Sequence, residues 1–298
     1  MATVAISVQE LAALTPEHDF FVGIDSDGCA FDSMEIKHKE CFCPQIIKYW
    51  DLQPVSKYAR EAVEFINLYS QWRGVNRWPA LIYALDLLRE RREVISRGSK
   101  IPQANKVRDF ISSGNPLSND GLKAYMADHP EPELEHALRW SKAVNDAVAN
   151  IVHNLPPFPY VRESLELVQK NADAVVVSAT PTEALLTEWE ENKINQYVRA
   201  IAGQELGTKK QHLKLAAGDK YAANRVLMIG DALGDLEAAR ASNALFFPIN
   251  PGHEEESWER FFKEGFQRFL AGEFAGTYQA ALIAEFDKLL PSSPPWKT

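Results

Sequence analysis

Five strand-length apolar runs, each ending in polar or acidic residues, constrain this chain more than any other feature. They are FFVGID (20–25), ADAVVVSAT (172–180), VRAIAGQE (198–205), RVLMIGDA (225–232) and ALFFPIN (244–250). The runs are continuously apolar rather than alternating, which is the pattern of strands buried on both faces. Segments of helical period, PTEALLTEWEENK (181–193) and LGDLEAARAS (233–242), lie between the later runs. Strand and helix alternating at this spacing predict βαβ units and an α/β fold, a parallel sheet with helices on both faces. In Thr180-Pro181-Thr182-Glu183 a hydroxyl can cap the following helix, and a proline can occupy its first turn.

Between residue 33 and about residue 155 the alternation stops. SMEIKHKECFCPQIIKYW, SKYAREAVEFINLYSQW, WPALIYALDLLRERREVI and PELEHALRWSKAVNDAVANIV follow one another as helical stretches with apolar faces of their own. This predicts a helical domain, residues 33–155, inserted into an α/β core made of residues 1–32 and 156–298. The proline-dense NLPPFPY (154–160) is the expected hinge back, and the final PSSPPWKT reads as a frayed tail.

Composition narrows the function. With 32 basic against 41 acidic residues the formal charge is −9, which repels phosphate backbones and anionic lipid. Neither a nucleic-acid nor a membrane partner is expected, whereas a small anionic ligand responds only to its local site. No basic leader precedes a long apolar stretch, and no run approaches the roughly 20 residues of a bilayer span, so a cytoplasmic location is expected. Cys29, Cys41 and Cys43 lack the companions of a zinc site or disulfide framework and read as reduced, packed thiols.

Chemistry concentrates at two acidic strand ends. Asp25-Ser26-Asp27-Gly28 follows the first run, and Gly230-Asp231-Ala232-Leu233-Gly234-Asp235 follows the fourth. Ligands of open parallel sheets lie beyond the carboxyl ends of strands, where reacting groups are expected. Gly28 permits the tight turn that lets Asp25 and Asp27 face one site. Two such clusters brought together concentrate negative charge that a cation would relieve. Magnesium is the natural candidate, because it takes oxygen ligands and needs few from the protein.

These residues resemble the haloacid dehalogenase-like superfamily of aspartate-nucleophile phosphohydrolases. Asp25-x-Asp27-Gly28 looks like its first motif, Val175-Val176-Val177-Ser178 its second, a lysine in Gly207-Thr208-Lys209-Lys210-Gln211-His212-Leu213 its third, and Gly230-Asp231-x-x-x-Asp235 its fourth, in the right order. The resemblance implies a Rossmann-like core with an inserted helical cap, and roles for particular residues. Asp25 would be the nucleophile and Asp27 the acid and base for the leaving oxygen and water. Magnesium would lie between Asp25, the main-chain carbonyl of Asp27 and Asp231, and the carboxylates at 25, 27 and 231 are expected to converge on it. Ser178, helped by Thr180, would bind a phosphoryl oxygen, although Ser178 also suits a helix cap. Lys209 fits the Lys-x-x-x-Leu spacing better than Lys210, and Asp235 would orient the lysine or a metal-bound water.

Two departures mark the first motif: Ser26 replaces the usual bulky apolar residue, and Cys29 follows the glycine. In the expected cap, Gln71-Trp72-Arg73-Gly74-Val75-Asn76-Arg77-Trp78 interrupts two helices. Arg73, Asn76 and Arg77 there are candidates to read a leaving group, with Lys37 and His38 weaker candidates; the same residue types also simply pack and cap. The implied activity is magnesium-dependent hydrolysis of a small phosphorylated metabolite. The alternatives are a phosphomutase, which shares every catalytic residue, and a non-catalytic scaffold. Nothing in the sequence reads out the oligomeric state.

Overall fold

The computed structural model describes residues 6–297. The chain forms two compact units, one of residues up to Met34 with Asn154–Leu289, the other of Glu35–His153 with Leu290 onward.

The first unit is built on five parallel strands, β1 (Phe21–Ile24), β2 (Asp173–Val177), β3 (Ala200–Ala202), β4 (Val226–Gly230) and β5 (Leu245–Pro248), in the order β3-β2-β1-β4-β5. All five fall within the apolar runs of the sequence, and every strand residue is buried. On one face Val22, Ile24, Val176 and Ile229 pack with Leu165, Leu185, Trp189 and a group of aromatic side chains from Trp258 to Phe274. On the other, Phe246 meets Phe286 at 5.7 Å between ring centroids and Phe21 meets Tyr221 at 5.3 Å.

Register places the chemistry. Ile24 pairs with Val176 of β2 and with Ile229 of β4, so β1 and its two neighbours end almost level. Asp25, Ser178 and Asp231 each follow one of these ends. The chain runs outward from β1 through β2 to β3 and then crosses to β4 on the other side. The switch point between β1 and β4, where ligands of such sheets bind, is therefore flanked by Asp25 and Asp231.

At the opposite, amino end of the sheet Asp173, 2% exposed, gathers the N–H groups of Glu17 and His18 at 2.9 and 3.1 Å, the Tyr221 hydroxyl at 2.8 Å and Arg199 at 2.9 Å. These contacts tie the approach to β1 and the start of β3 to β2.

The second unit is all helix. A continuous helical path from Ser33 to Tyr49 leads into it and contains a π segment at Lys37–Phe42, and Ser56–Leu68, Arg77–Glu90 and Pro132–Ile151 match the expected stretches. Asn105–Ser112 and Asn119–Asp128 are further helices that no periodic stretch of the sequence marks. Trp50, Trp78 and Trp140 meet edge to face in its core. Among the described residues no helix is long and apolar enough to cross a membrane.

The C-terminal segment departs from expectation. The PSSPPWKT segment, expected as a frayed tail at the end of the α/β core, groups with the helical unit over its described residues, 291–297. Trp296 packs edge to face on Phe65 at 5.7 Å, and the Arg91 guanidinium lies 4.4 Å from its ring and 4.5 Å from that of Tyr58. Lys297 pairs with Glu90 at 2.5 Å, and the Gln71 N–H donates to the Pro291 carbonyl at 3.3 Å. A large aromatic ring near the chain end buries more apolar surface by docking than by remaining in solvent, which overrides the proline-rich local sequence.

Asp173 yields a stability prediction. Burial alone would raise its pKa, but the Tyr221, Glu17, His18 and Arg199 contacts outweigh burial and hold it below the ordinary 3.8. A carboxyl that titrates lower in the folded than in the unfolded chain stabilises fully above its unfolded pKa, and that stabilisation is lost as acid protonates the folded form. Asp173→Asn should cost about 2 kcal/mol at pH 7. It should also flatten the acid limb below about pH 4 in a plot of melting temperature against pH.

Candidate functional site

The site grows from the ends of β1 and β4. Gly28, at φ +74°, closes the loop after β1, with its N–H donating to Phe31 O at 2.9 Å, while Ser26 O accepts the N–H groups of Cys29, Ala30 and Phe31. Asp25 is buried beneath this loop, its Oδ1 accepting the Ser26 N–H at 2.8 Å. Asp231 follows β4 and is 2% exposed, and Asp235, fully buried, lies one helical turn on.

Gly230 makes the approach of Asp235 possible. A Cβ at position 230 would come within 2.4 Å of the Asp235 side chain, so only glycine lets the carboxylate fold back over the strand end. There Asp235 Oδ2 accepts the Ala232 N–H at 3.1 Å and Oδ1 accepts from Lys209.

Lys209 begins the Lys209–Ala216 helix, which Thr208 and Gln211 cap reciprocally. Its Nζ lies 2.6 Å from Asp25 Oδ2 and 2.6 Å from Asp235 Oδ1. Lys210, one residue on, is exposed. Burial pushes Asp25 up to about 6; Lys209 opposes that shift and the charge of Asp231 adds to it. Asp235 is likewise raised to about 6 by burial, opposed by Lys209. Burial acts to discharge Lys209 as well, but Asp235, Asp25 and Asp231 outweigh it and hold the ammonium charged.

Carboxylate oxygens of Asp25, Asp231 and Asp235 all lie within 4.8 Å of one another. This differs from the expected convergence of 25, 27 and 231. The Asp27 carboxylate is instead held by hydroxyls, with Ser33 donating to Oδ1 at 2.5 Å and Thr180 to Oδ2 at 2.6 Å. Thr180 therefore does not cap the next helix as its sequence context predicts; Pro181 stands at the cap position, and Glu205 accepts the Thr182 N–H at 2.9 Å instead. Ser178, buried at the end of β2, accepts the Thr180 N–H at 3.2 Å.

Two contributors lie outside the sequence motifs. Ser33 stands six residues after Asp27, and a hydroxyl at the start of a helix is the only signal it gives. His212, one turn after Lys209 and fully buried, is lowered to about 4 by burial first and the Lys209 charge second, so a neutral ring lines this helix beside the ammonium. Cys29 is fully buried and its thiol is pushed well up by burial and the neighbouring carboxylates, which leaves it a packing residue.

The leaving-group candidates are engaged within the helical unit. Arg73, 4% exposed, donates to the Leu68 carbonyl at 3.0 Å. Asn76 caps Arg77–Glu90 by accepting the Trp78 N–H, and Arg77 donates to Ser141 O, Ser141 Oγ and Asn145. Burial lowers Arg77 to about 10. Arg77 thereby links the start of its own helix to the Pro132–Ile151 helix. Lys37 and His38 lie in the π segment, half-buried and buried, with His38 4.7 Å from the Phe42 ring.

A family model described as haloacid dehalogenase-like hydrolase matches residues 110–248. Phosphoglycolate phosphatase of Nitrosococcus oceani is 30% identical over 187 residues, covering 59% of this chain and 78% of that protein. The chain belongs to the haloacid dehalogenase-like hydrolases. Solved structures similar to this member include a predicted phosphoglycolate phosphatase of Haemophilus somnus (15% identity, TM-score 0.46, covering 78% of this chain and 86% of that one). A Thermotoga maritima protein described as a β-phosphoglucomutase is also similar (15% identity, TM-score 0.37, covering 77% and 84%).

The close approach at Gly230 gives a test that needs no substrate. Gly230→Ala should displace Asp235 and destabilise the hydrolase by about 1–3 kcal/mol in urea unfolding. An unchanged midpoint would show that the strand end has room for a methyl group.

Proposed function

We propose that this chain is a magnesium-dependent phosphatase that hydrolyses a small phosphorylated metabolite through an aspartyl-phosphate at Asp25. The observation that carries the reading is the buried Asp25 carboxylate, bonded to Lys209 at 2.6 Å and grouped with Asp231, with a second carboxylate two residues on. A nucleophile, a fixed cation and an acid are the three parts that aspartate-based phosphoryl transfer needs.

Asp25 attacks phosphorus, forming a P–O bond as the ester oxygen leaves. Lys209 neutralises charge on Asp25 and, through its bond to Asp235, is held in one direction. Asp27 gives its proton to the leaving oxygen and then takes one from the water that cleaves the acyl phosphate. The Ser33 and Thr180 hydroxyls can turn from donor to acceptor, so they suit Asp27 in either protonation state. Ser178, at the level end of β2, is the hydroxyl for a phosphoryl oxygen.

The donor set fits magnesium. It is all oxygen and buried, and the carboxyl of Asp25, raised to about 6, is one that a divalent cation would keep ionised. Asp25 and Asp231 would hold the ion together with the Asp27 main-chain carbonyl, while Asp235 is engaged by Lys209 and Ala232. Bound there, magnesium supplies positive charge that lets an anionic nucleophile meet an anionic phosphoryl group. On this reading the helical unit is the family's inserted cap domain.

The test is inorganic phosphate release from a panel of sugar phosphates, nucleotides and glycolate-type phosphates, with and without magnesium. Release from one or more esters that chelation abolishes is expected; isomer exchange without release would make the protein a mutase. Asp25→Asn should lower kcat by about a thousandfold or more with the fold intact. Lys209→Met should fall similarly, whereas Lys210→Met should keep wild-type turnover, and equal effects of the two lysine variants would remove Lys209 from the mechanism.

A further inference from the structure

We propose that Ser26 and Trp189 form a positioning pair that sets the direction of Asp25 and Asp27, with Glu188 completing it. The proposal rests on the phosphatase reading above. Ser26 stands where a bulky apolar residue is usual in the family, and it is 0% exposed. Its hydroxyl accepts the Trp189 indole N–H at 2.9 Å and donates to a Glu188 carboxylate oxygen at 3.3 Å. A buried hydroxyl with both a donor and an acceptor in place has one rotation, where an apolar side chain would have only a packing preference.

The indole itself cannot drift. Trp189 is 0% exposed in the core beneath the sheet, with its ring edge-on to Phe31 at 6.0 Å. The Ser26 carbonyl meanwhile accepts three backbone N–H groups from the loop it starts, at 3.2, 2.8 and 3.2 Å. The residue between the two site carboxylates is thus fixed through its side chain and its main chain at once.

Asp25 and Asp27 flank Ser26 in the chain, so holding the Ser26 side chain and carbonyl holds the backbone from which both carboxylates project. The second anchor comes from the same stretch of chain. Trp189 belongs to the Thr182–Glu191 helix, which starts directly after Ser178 and Thr180, and Thr180 bonds Asp27 at 2.6 Å. The loop after β1 is therefore tied to the segment after β2 by Asp27–Thr180 and by Ser26–Trp189, so the nucleophile, the acid and the phosphate-binding hydroxyl keep one spacing. Catalysis by alignment is lost when reacting atoms shift by a fraction of an ångström, and such a loss falls on kcat more than on KM.

The test compares Ser26→Ala, Ser26→Thr, Trp189→Phe and the double variant Ser26→Ala/Trp189→Phe, using p-nitrophenyl phosphate with magnesium. Melting temperature and calorimetric magnesium affinity are measured on each. Ser26→Ala and Trp189→Phe should each lower kcat about tenfold, with KM within about twofold. The double variant should be no slower than the slower single, because the two remove the same bond. Ser26→Thr, which keeps the hydroxyl, should restore most of the rate. A folded Ser26→Ala with wild-type kcat, losses that multiply in the double variant, or a Ser26→Thr as slow as Ser26→Ala would each overturn the pairing. A wild-type protein inert toward every ester would remove the phosphatase reading instead. The pair is then read by magnesium titration alone: about tenfold weaker binding in Ser26→Ala and Trp189→Phe supports it, and unchanged affinity overturns it.

Discussion

One ammonium group makes the rest of this site possible. Asp25, Asp231 and Asp235 bring three carboxylates within 4.8 Å of one another in a buried setting, and Lys209 Nζ bonds two of them at 2.6 Å. Like charges at that spacing in a low-dielectric region repel strongly, and each loses hydration as well. The protein meets the problem in two ways: a fixed cation beside the cluster, and carboxyls that burial pushes toward about 6 for Asp25 and Asp235. On the proposed reading, a charge balance this close to its limit is what a divalent ion would relieve.

The scaffold under that cluster is ordinary parallel-sheet geometry used with little slack. Level strand ends put Asp25, Ser178 and Asp231 side by side without any long-range adjustment of the chain. Gly230 then removes the one Cβ that would keep Asp235 from folding back, and the Thr208–Gln211 capping box starts a helix whose first residue is the lysine. Asp27 is handled separately. It lies outside the three-carboxylate group, and the Ser33 and Thr180 hydroxyls each donate to it. Two carboxylates two residues apart thus have different partners, Lys209 for Asp25 and two hydroxyls for Asp27.

How much of this is legible in the sequence depends on whether the signal is local. The five strands are legible because a doubly buried strand must be apolar throughout, and VVV or VLMI admits few other readings. Lys209 is separable from Lys210 only by spacing to Leu213, yet a one-residue step turns a helix by about 100°, enough to put one lysine in the site and the other in solvent. The roles of Arg73, Asn76 and Arg77 are not legible, because an arginine at a helix junction has the same local pattern whether it faces a ligand or a carbonyl. The Asn105–Ser112 and Asn119–Asp128 helices are hidden by the Ser, Gly, Asn and Pro residues between them, whose turn chemistry dominates any short window. Ser26 carries a legible oddity, a polar residue at an apolar position, but its partners at 188 and 189 are far along the chain.

The docking of Trp296 on the helical unit has a consequence for synthesis of the chain. That unit is assembled from two stretches separated by the whole α/β sequence from Asn154 to Leu289. The sheet is split in the same manner, since its middle strand is made before the insert and the strands on both sides of it afterwards. A ribosome emits residues in order, so the helices emerge early but wait for a much later stretch of polypeptide to cover Phe65 and Arg91. Maturation of the helical half is thereby postponed until the segment around Trp296 has cleared the exit tunnel, by which time every strand of the other half is already outside.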